Sequence, residues 1–170
     1  MKFISKFALL FVAVLSVNSA VAQEKKPASP PSEAKGTISG SAITIKYNSP
    51  FVKGRKIWGE LVPFGQVWRA GANDATTFET TKAVKIEGKE LAAGTYSFFV
   101  IPQENGTATL IFNKEAKQWG AYKYDEKQDA LRVTVKTKKV TKSVESLTYT
   151  VNKNNVVVAW DTLEIPFSVK

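Results

Sequence analysis

Between Gly54 and Phe78 the chain reads GRKIWGELVPFGQVWRAGANDATTF. This stretch holds two of the four tryptophans, Trp58 and Trp68, beside a polar run of Arg69, Asn73, Asp74, Thr76 and Thr77. A guanidinium is a rigid fork of donors that matches carboxylate, sulfate or phosphate. Asn and Asp next to an indole can bond sugar hydroxyls while the ring covers the apolar face of the sugar. The set is a candidate site for a small anionic or carbohydrate-like ligand. A packing reading fits the same residues: Arg69 pairs with Asp74 across the turn at Gly71, and both indoles lie in the core.

A second group, Trp119, Tyr122, Tyr124, Asp125 and Asp129, falls in the polar stretch 114–129. Aromatics interleaved with carboxylates either line a groove or pin a loop to the domain. Trp119 and Tyr122 join the candidate ligand-binding residues. Glycoside hydrolysis needs two carboxyl groups in one cleft, roughly 5–10 Å apart. Asp74 with Asp125 or Asp129 would be the pair, although nothing in the sequence shows that they meet.

Other chemistry is narrowed by what the chain lacks. It contains no cysteine and no histidine. That removes disulfides, thiolate nucleophiles, the commonest general base and the usual zinc ligands. No cofactor or metal site is assigned, and no catalytic residue. Ser32-Glu33-Ala34-Lys35 matches a Ser-x-x-Lys pattern, but it has no helix to carry it and reads as chance. No glycine-rich phosphate loop follows a strand and opens a helix. The formal charge is +9, yet there is no interleaved aromatic–basic motif, so nucleic acid is not an expected partner.

These residues need elements to position them. The chain is 170 residues long, 44% hydrophobic and 23% charged, enough for one domain with a real core. Residues 1–22 read as a signal peptide: Lys2 and Lys6, an apolar run from Phe7 to Val17, and the small-x-small site Ala20-Val21-Ala22. The run is too short to span a bilayer, and no cysteine follows for a lipid anchor. The expected location is periplasmic or secreted. Residues 23–36, rich in Pro, Ser and Lys, read as a flexible linker, and residues 37–170 as the folded domain.

Within 37–170, short alternating or β-branched runs recur, separated by turn residues. TYSFFVIP, Thr95–Pro102, is apolar on both faces and predicts a central strand between two layers. Asn105-Gly106 predicts a tight type I′ hairpin. Gln66–Ala70 predicts a short strand with Val67 and Arg69 on one face and Trp68 on the other. Val156–Trp160 and Leu163–Val169 read as two final strands, the second an edge because of Pro166. Lys136, Lys138, Lys139 and Lys142 fall in a gap between strands. The expected fold is all-β, a single antiparallel β-sandwich or jelly-roll-like domain of about eight or nine strands.

Three blocks, SPFVKGRKIWGELVPFGQVWRAGANDATTF, GKELAAGTYSFFVIP and IFNKEAKQWGAYKYDEKQDALRV, resemble the bacterial domain-of-unknown-function family 2911. The resemblance covers nearly all of the chain after the linker. It implies an exported bacterial protein, common in Bacteroidetes, and implies no reaction. Three readings stay open: a non-catalytic binding module for a small-molecule or glycan ligand, a glycoside or other hydrolase, and a structural or interaction protein of the envelope. The oligomeric state is open.

Overall fold

The computed structural model describes residues 27–170. The expected signal peptide and the first residues of the expected linker therefore lie outside the described residues. Ten strands run β1 Pro31–Ile38, β2 Ser41–Asn48, β3 Thr76–Thr80, β4 Val84–Ile86, β5 Lys89–Leu91, β6 Gly94–Pro102, β7 Thr107–Asn113, β8 Asp129–Lys136, β9 Lys138–Val151 and β10 Asn155–Ser168. Six of them form one antiparallel sheet in the order β1-β2-β3-β6-β7-β8. The long β9–β10 hairpin forms a second sheet, and β4–β5 a small third one. The fold is an all-β sandwich. No helix among the described residues is long and apolar enough to cross a membrane.

Alternation builds the core. Ile43, Ile45, Phe78, Phe98, Leu110 and Phe112 turn one face of the large sheet inward, each at most 1% exposed. Leu147, Val158, Ile165 and Phe167 meet them from the hairpin. Phe98 stacks on Phe167 at 5.8 Å between ring centroids. Truncating such a ring costs about 3–5 kcal/mol. The odd positions of β6 face the other way. Phe99 joins Ala75 and Ile111 in a smaller core, closed over by Val67, Ala121 and Tyr124. So Thr95–Pro102 is the internal strand between two layers that its composition predicts, with a loop in place of a sheet on its outer side.

The strand β10 solves a parity problem. Val156, Val158 and Trp160 face the core at even positions, and Leu163, Ile165 and Phe167 at odd ones. An unbroken strand would send one of these sets to solvent. The inward parity changes across Asp161, whose φ is +49°, and the pairing with β9 shifts register on both sides of it. The two expected final strands are therefore one strand with a bulge. Pro166 sits on it where its missing N–H is tolerated, because β10 pairs only with β9.

Other local expectations are corrected. β1 begins at Pro31, so residues 31–36 belong to the sheet and not to a linker. Its inward positions are small, with Ala34 buried and Gly36 lying where a Cβ would come within 2.6 Å of the Val151 side chain. Lys138, Lys139 and Lys142 lie on β9 and not in a gap, because the chain needs only Thr137 to pass from β8 to β9. Of Asn105 and Gly106 only the glycine has positive φ, so the turn is not type I′. The Asn105 side chain instead accepts from the Thr107 amide at 3.1 Å, which holds Asn105 in an ordinary turn conformation.

Candidate functional site

The segment from Ser49 to Ala75 crosses between the two layers. On one side it fastens to β9: Ser49 Oγ donates to the Leu147 carbonyl at 2.7 Å, and the Val52 amide to the Glu145 carbonyl at 2.7 Å. On the other side Trp68 exchanges both main-chain bonds with Val100 of β6, each 2.9 Å. The expected strand over 66–70 is thus reduced to a single bridge. Its facing is as predicted for the two apolar residues: Trp68 packs on the main core, Val67 on the smaller one.

Immediately after this bridge, the chain turns sharply. Ala70 is fully buried with φ of +53°. Its carbonyl accepts from the Thr76 hydroxyl at 2.9 Å and from the Tyr149 hydroxyl at 2.6 Å. Thr76, a candidate ligand-binding residue from sequence, is fully buried and spends its hydroxyl on this turn.

The tryptophans gather, but not as two. Trp58, Trp68 and Trp160 form a triad: Trp68 and Trp160 stack at 5.8 Å and 16°, and Trp58 meets them edge-on at 5.6 and 6.2 Å. Trp58 is a core residue whose Nε1 donates to the Trp160 carbonyl at 3.3 Å. Trp68 is half-buried and, with Trp160, lines a cavity of about 280 Å³. Arg55, Arg69, Gly71 and Ala121 also line it. No aspartate or glutamate lines it.

Arg69 is the informative member. Its Nε is enclosed and has no acceptor, and Arg69 makes no ion pair among the described residues. The pairing with Asp74 that a packing reading expects is absent. Arg55 is anchored by its own loop, Nε donating to the Val52 carbonyl at 3.1 Å and Nη2 to that of Phe51. The indole Nε1 of Trp160, a residue 2% exposed, also lacks an acceptor. The cavity is therefore lined by two arginines and an aromatic wall, without a carboxylate to neutralise them.

Asn73 and Asp74 do not share this cavity. They belong to a main-chain ladder with the loop Lys114–Gln128: Gly120 N donates to the Asn73 carbonyl at 3.0 Å, and Ala75 N to that of Gln118 at 3.0 Å. This ladder, and not an Arg69–Asp74 pair, holds the turn. The Asn73 side chain is exposed at a φ of +59°. Trp119 and Tyr122 are exposed on that same loop and do not line the Arg69 cavity. Sequence reasoning missed Trp160 and Arg55.

The three aspartates weighed for hydrolysis are not gathered. The carboxylate of Asp129 is consumed by its neighbours: it accepts from Tyr124 Oη at 2.6 Å and Asn113 Nδ2 at 2.8 Å, with Arg132 Nη1 at 3.5 Å. Burial first, then Asp129, pushes the Tyr124 hydroxyl above its ordinary range. Asp125 accepts from the Lys127 amide at the start of a 3-10 turn and lines a different depression from Asp74. Among the described residues no three carboxylates cluster as metal ligands.

Fold and cavity together define an all-β sandwich with an arginine- and tryptophan-lined recess at one crossing segment. The chain belongs to the family described as "Protein of unknown function (DUF2911)", which matches residues 29–169. No curated protein and no solved structure matches it.

Proposed function

We propose that the protein is a non-catalytic binding module for a small ligand bearing an anionic group. The observation that carries this reading is the Arg69 guanidinium, enclosed at Nε with no acceptor, in a cavity without a carboxylate. Burying a donor without an acceptor costs free energy unless something else fills the bond. A carboxylate or other oxyanion would accept two parallel bonds from one edge of the guanidinium. The stacked Trp68 and Trp160 would cover a flat or apolar remainder. A volume of about 280 Å³ lies just below the range usual for small-molecule sites, roughly 300–1,000 Å³. The ligand is therefore small.

Residues 1–22 support export, so the encounter takes place in the periplasm or outside the cell. N-terminal sequencing of the protein from those fractions tests this, with Gln23 as the expected first residue. For the site, the test is a thermal-shift and calorimetric screen with small carboxylates, phosphate and sulfate. A ligand lost in Arg69→Gln, with the fold intact, is expected. A ligand that binds Arg69→Gln as tightly as the unaltered protein would overturn the assignment, as would the absence of any anionic hit.

A further inference from the structure

We propose that the loop Lys114–Gln128 carries a second site, an aromatic platform for neutral oligosaccharides. Trp119 is 60% exposed and Tyr122 83% exposed, whereas Trp58 and Trp160 are at most 9% exposed. Large aromatic rings seldom stay in water without a use.

The exposure does not come from a loose loop. Ser97 Oγ donates to the Glu115 carbonyl at 2.6 Å, and Asn113 Nδ2 to the Asp125 carbonyl at 2.9 Å. The Tyr124 ring meets Phe99 at 5.2 Å beneath the loop. With the ladder to Asn73 and Ala75, these bonds fix the backbone that presents both rings. A partner would meet a surface already ordered, with little loop entropy to lose.

Charge distinguishes this surface from the arginine cavity. The rings border a depression of about 810 Å³, where Lys117 and Lys123 are balanced by Glu115 and Asp125. Past Trp119 it adjoins a second depression of about 410 Å³ beside Asp74 and Thr77. A balanced field favours an uncharged partner. Gln118 lines both depressions, and its Oε1 is buried without a donor. Flat rings bordered by amides and carboxylates suit a sugar, with C–H faces on the rings and hydroxyls at the rim. A peptide strand is less suited: the loop covers the face of β6 and β7, which are internal strands with no free edge.

Trp119 and Tyr122 do not line the anion cavity, although the loop between them meets it at Ala121 and beside Arg69, so variants of the two rings test the platform directly. The purified protein is run on affinity gels containing neutral polysaccharides (β-glucan, galactomannan, xylan) or acidic alginate. Oligosaccharides of any retaining polymer are then titrated against tryptophan fluorescence. Retention by a neutral polymer is expected. Trp119→Ala should weaken it at least about tenfold, Tyr122→Ala should weaken it too, and Lys142→Ala, an exposed change on β9, should leave it unchanged. Both rings are exposed, so the loop variants should keep the far-UV spectrum of the fold. Retention by alginate alone, retention by no polymer, or unaltered affinity in Trp119→Ala would overturn the proposal. So would a dimer of the unaltered protein that dissociates in Trp119→Ala, since the rings would then serve a second copy.

Discussion

The Tyr149 hydroxyl donates to the Ala70 carbonyl at 2.6 Å, across 79 residues of chain. Ala70 is a buried non-glycine residue in the left-handed region, and the bond helps hold it there. Tyr149→Phe keeps the ring against Tyr47 (4.6 Å) and removes only the donor. We expect a loss of about 1 kcal/mol in urea denaturation. The two residues before Ala70 are Trp68 and Arg69, so the anion cavity should loosen and lose affinity by more than Tyr149's distance from any ligand would suggest.

Alkaline pH should destabilise the fold through the same hydroxyl. Burial raises the Tyr149 pKa well above its ordinary value of 10.0. The folded state thus keeps a proton that the unfolded state releases above that pH. Its contribution is fully present below pH 10 and is lost as pH rises beyond it, at about 1.4 kcal/mol per unit. Chemical denaturation between about pH 9 and 11 should show this slope reduced in Tyr149→Phe. An unchanged slope would mean that other groups govern the transition.

Arg69 should prove dispensable for stability. Its Nε has given up water without gaining an acceptor, and no carboxylate neutralises it. Arg69→Met keeps the packed stem and removes the uncompensated donors. The midpoint of unfolding should stay within about 0.5 kcal/mol of the original or rise. A loss of 2 kcal/mol or more, roughly the cost of breaking a structural charged bond, would argue that the guanidinium serves the fold.

Gly36 and Val151 should be coupled. A Cβ on Gly36 would lie 2.6 Å from Val151 Cγ1, so Gly36→Ala should cost about 1–3 kcal/mol by overpacking. Val151→Ala opens the space. The double variant should be less destabilised than the two singles combined, by about 0.5 kcal/mol or more. Strict additivity would mean that β1 does not press on β9 as described.

What was legible follows from how many residues carry each signal. The β6–β7 hairpin shows itself because every side chain from Tyr96 to Ile101 except Ser97 is apolar, on both faces. β1 stayed hidden because its inward residues over 31–36 are only Ala34 and Gly36, too small to outweigh the Pro, Ser and Lys around them. The bulge in β10 rests on a single aspartate in the left-handed region, which no periodicity reports. The site was half legible. Trp68 and Arg69 stand together in the chain, while Trp160 arrives from β10 and Arg55 from a turn, and only the folded crossing brings them to one recess. Asp74 drew notice by its neighbours in sequence, yet its backbone partner proved to be Trp119.

The order of the strands sets a hazard for the newborn chain. Ile43, Ile45, Phe78, Phe98 and Phe112 are all in place before residue 138, where the covering hairpin starts. Until β9 and β10 follow, a broad apolar sheet has nothing to lie against. Such half-made sheets are where chains stick to one another. A chain that must first pass through a membrane unfolded would meet this moment on the far side, all at once. Survival would then depend on how fast one local hairpin closes, which makes the Asn152–Asn155 turn a point of control over yield.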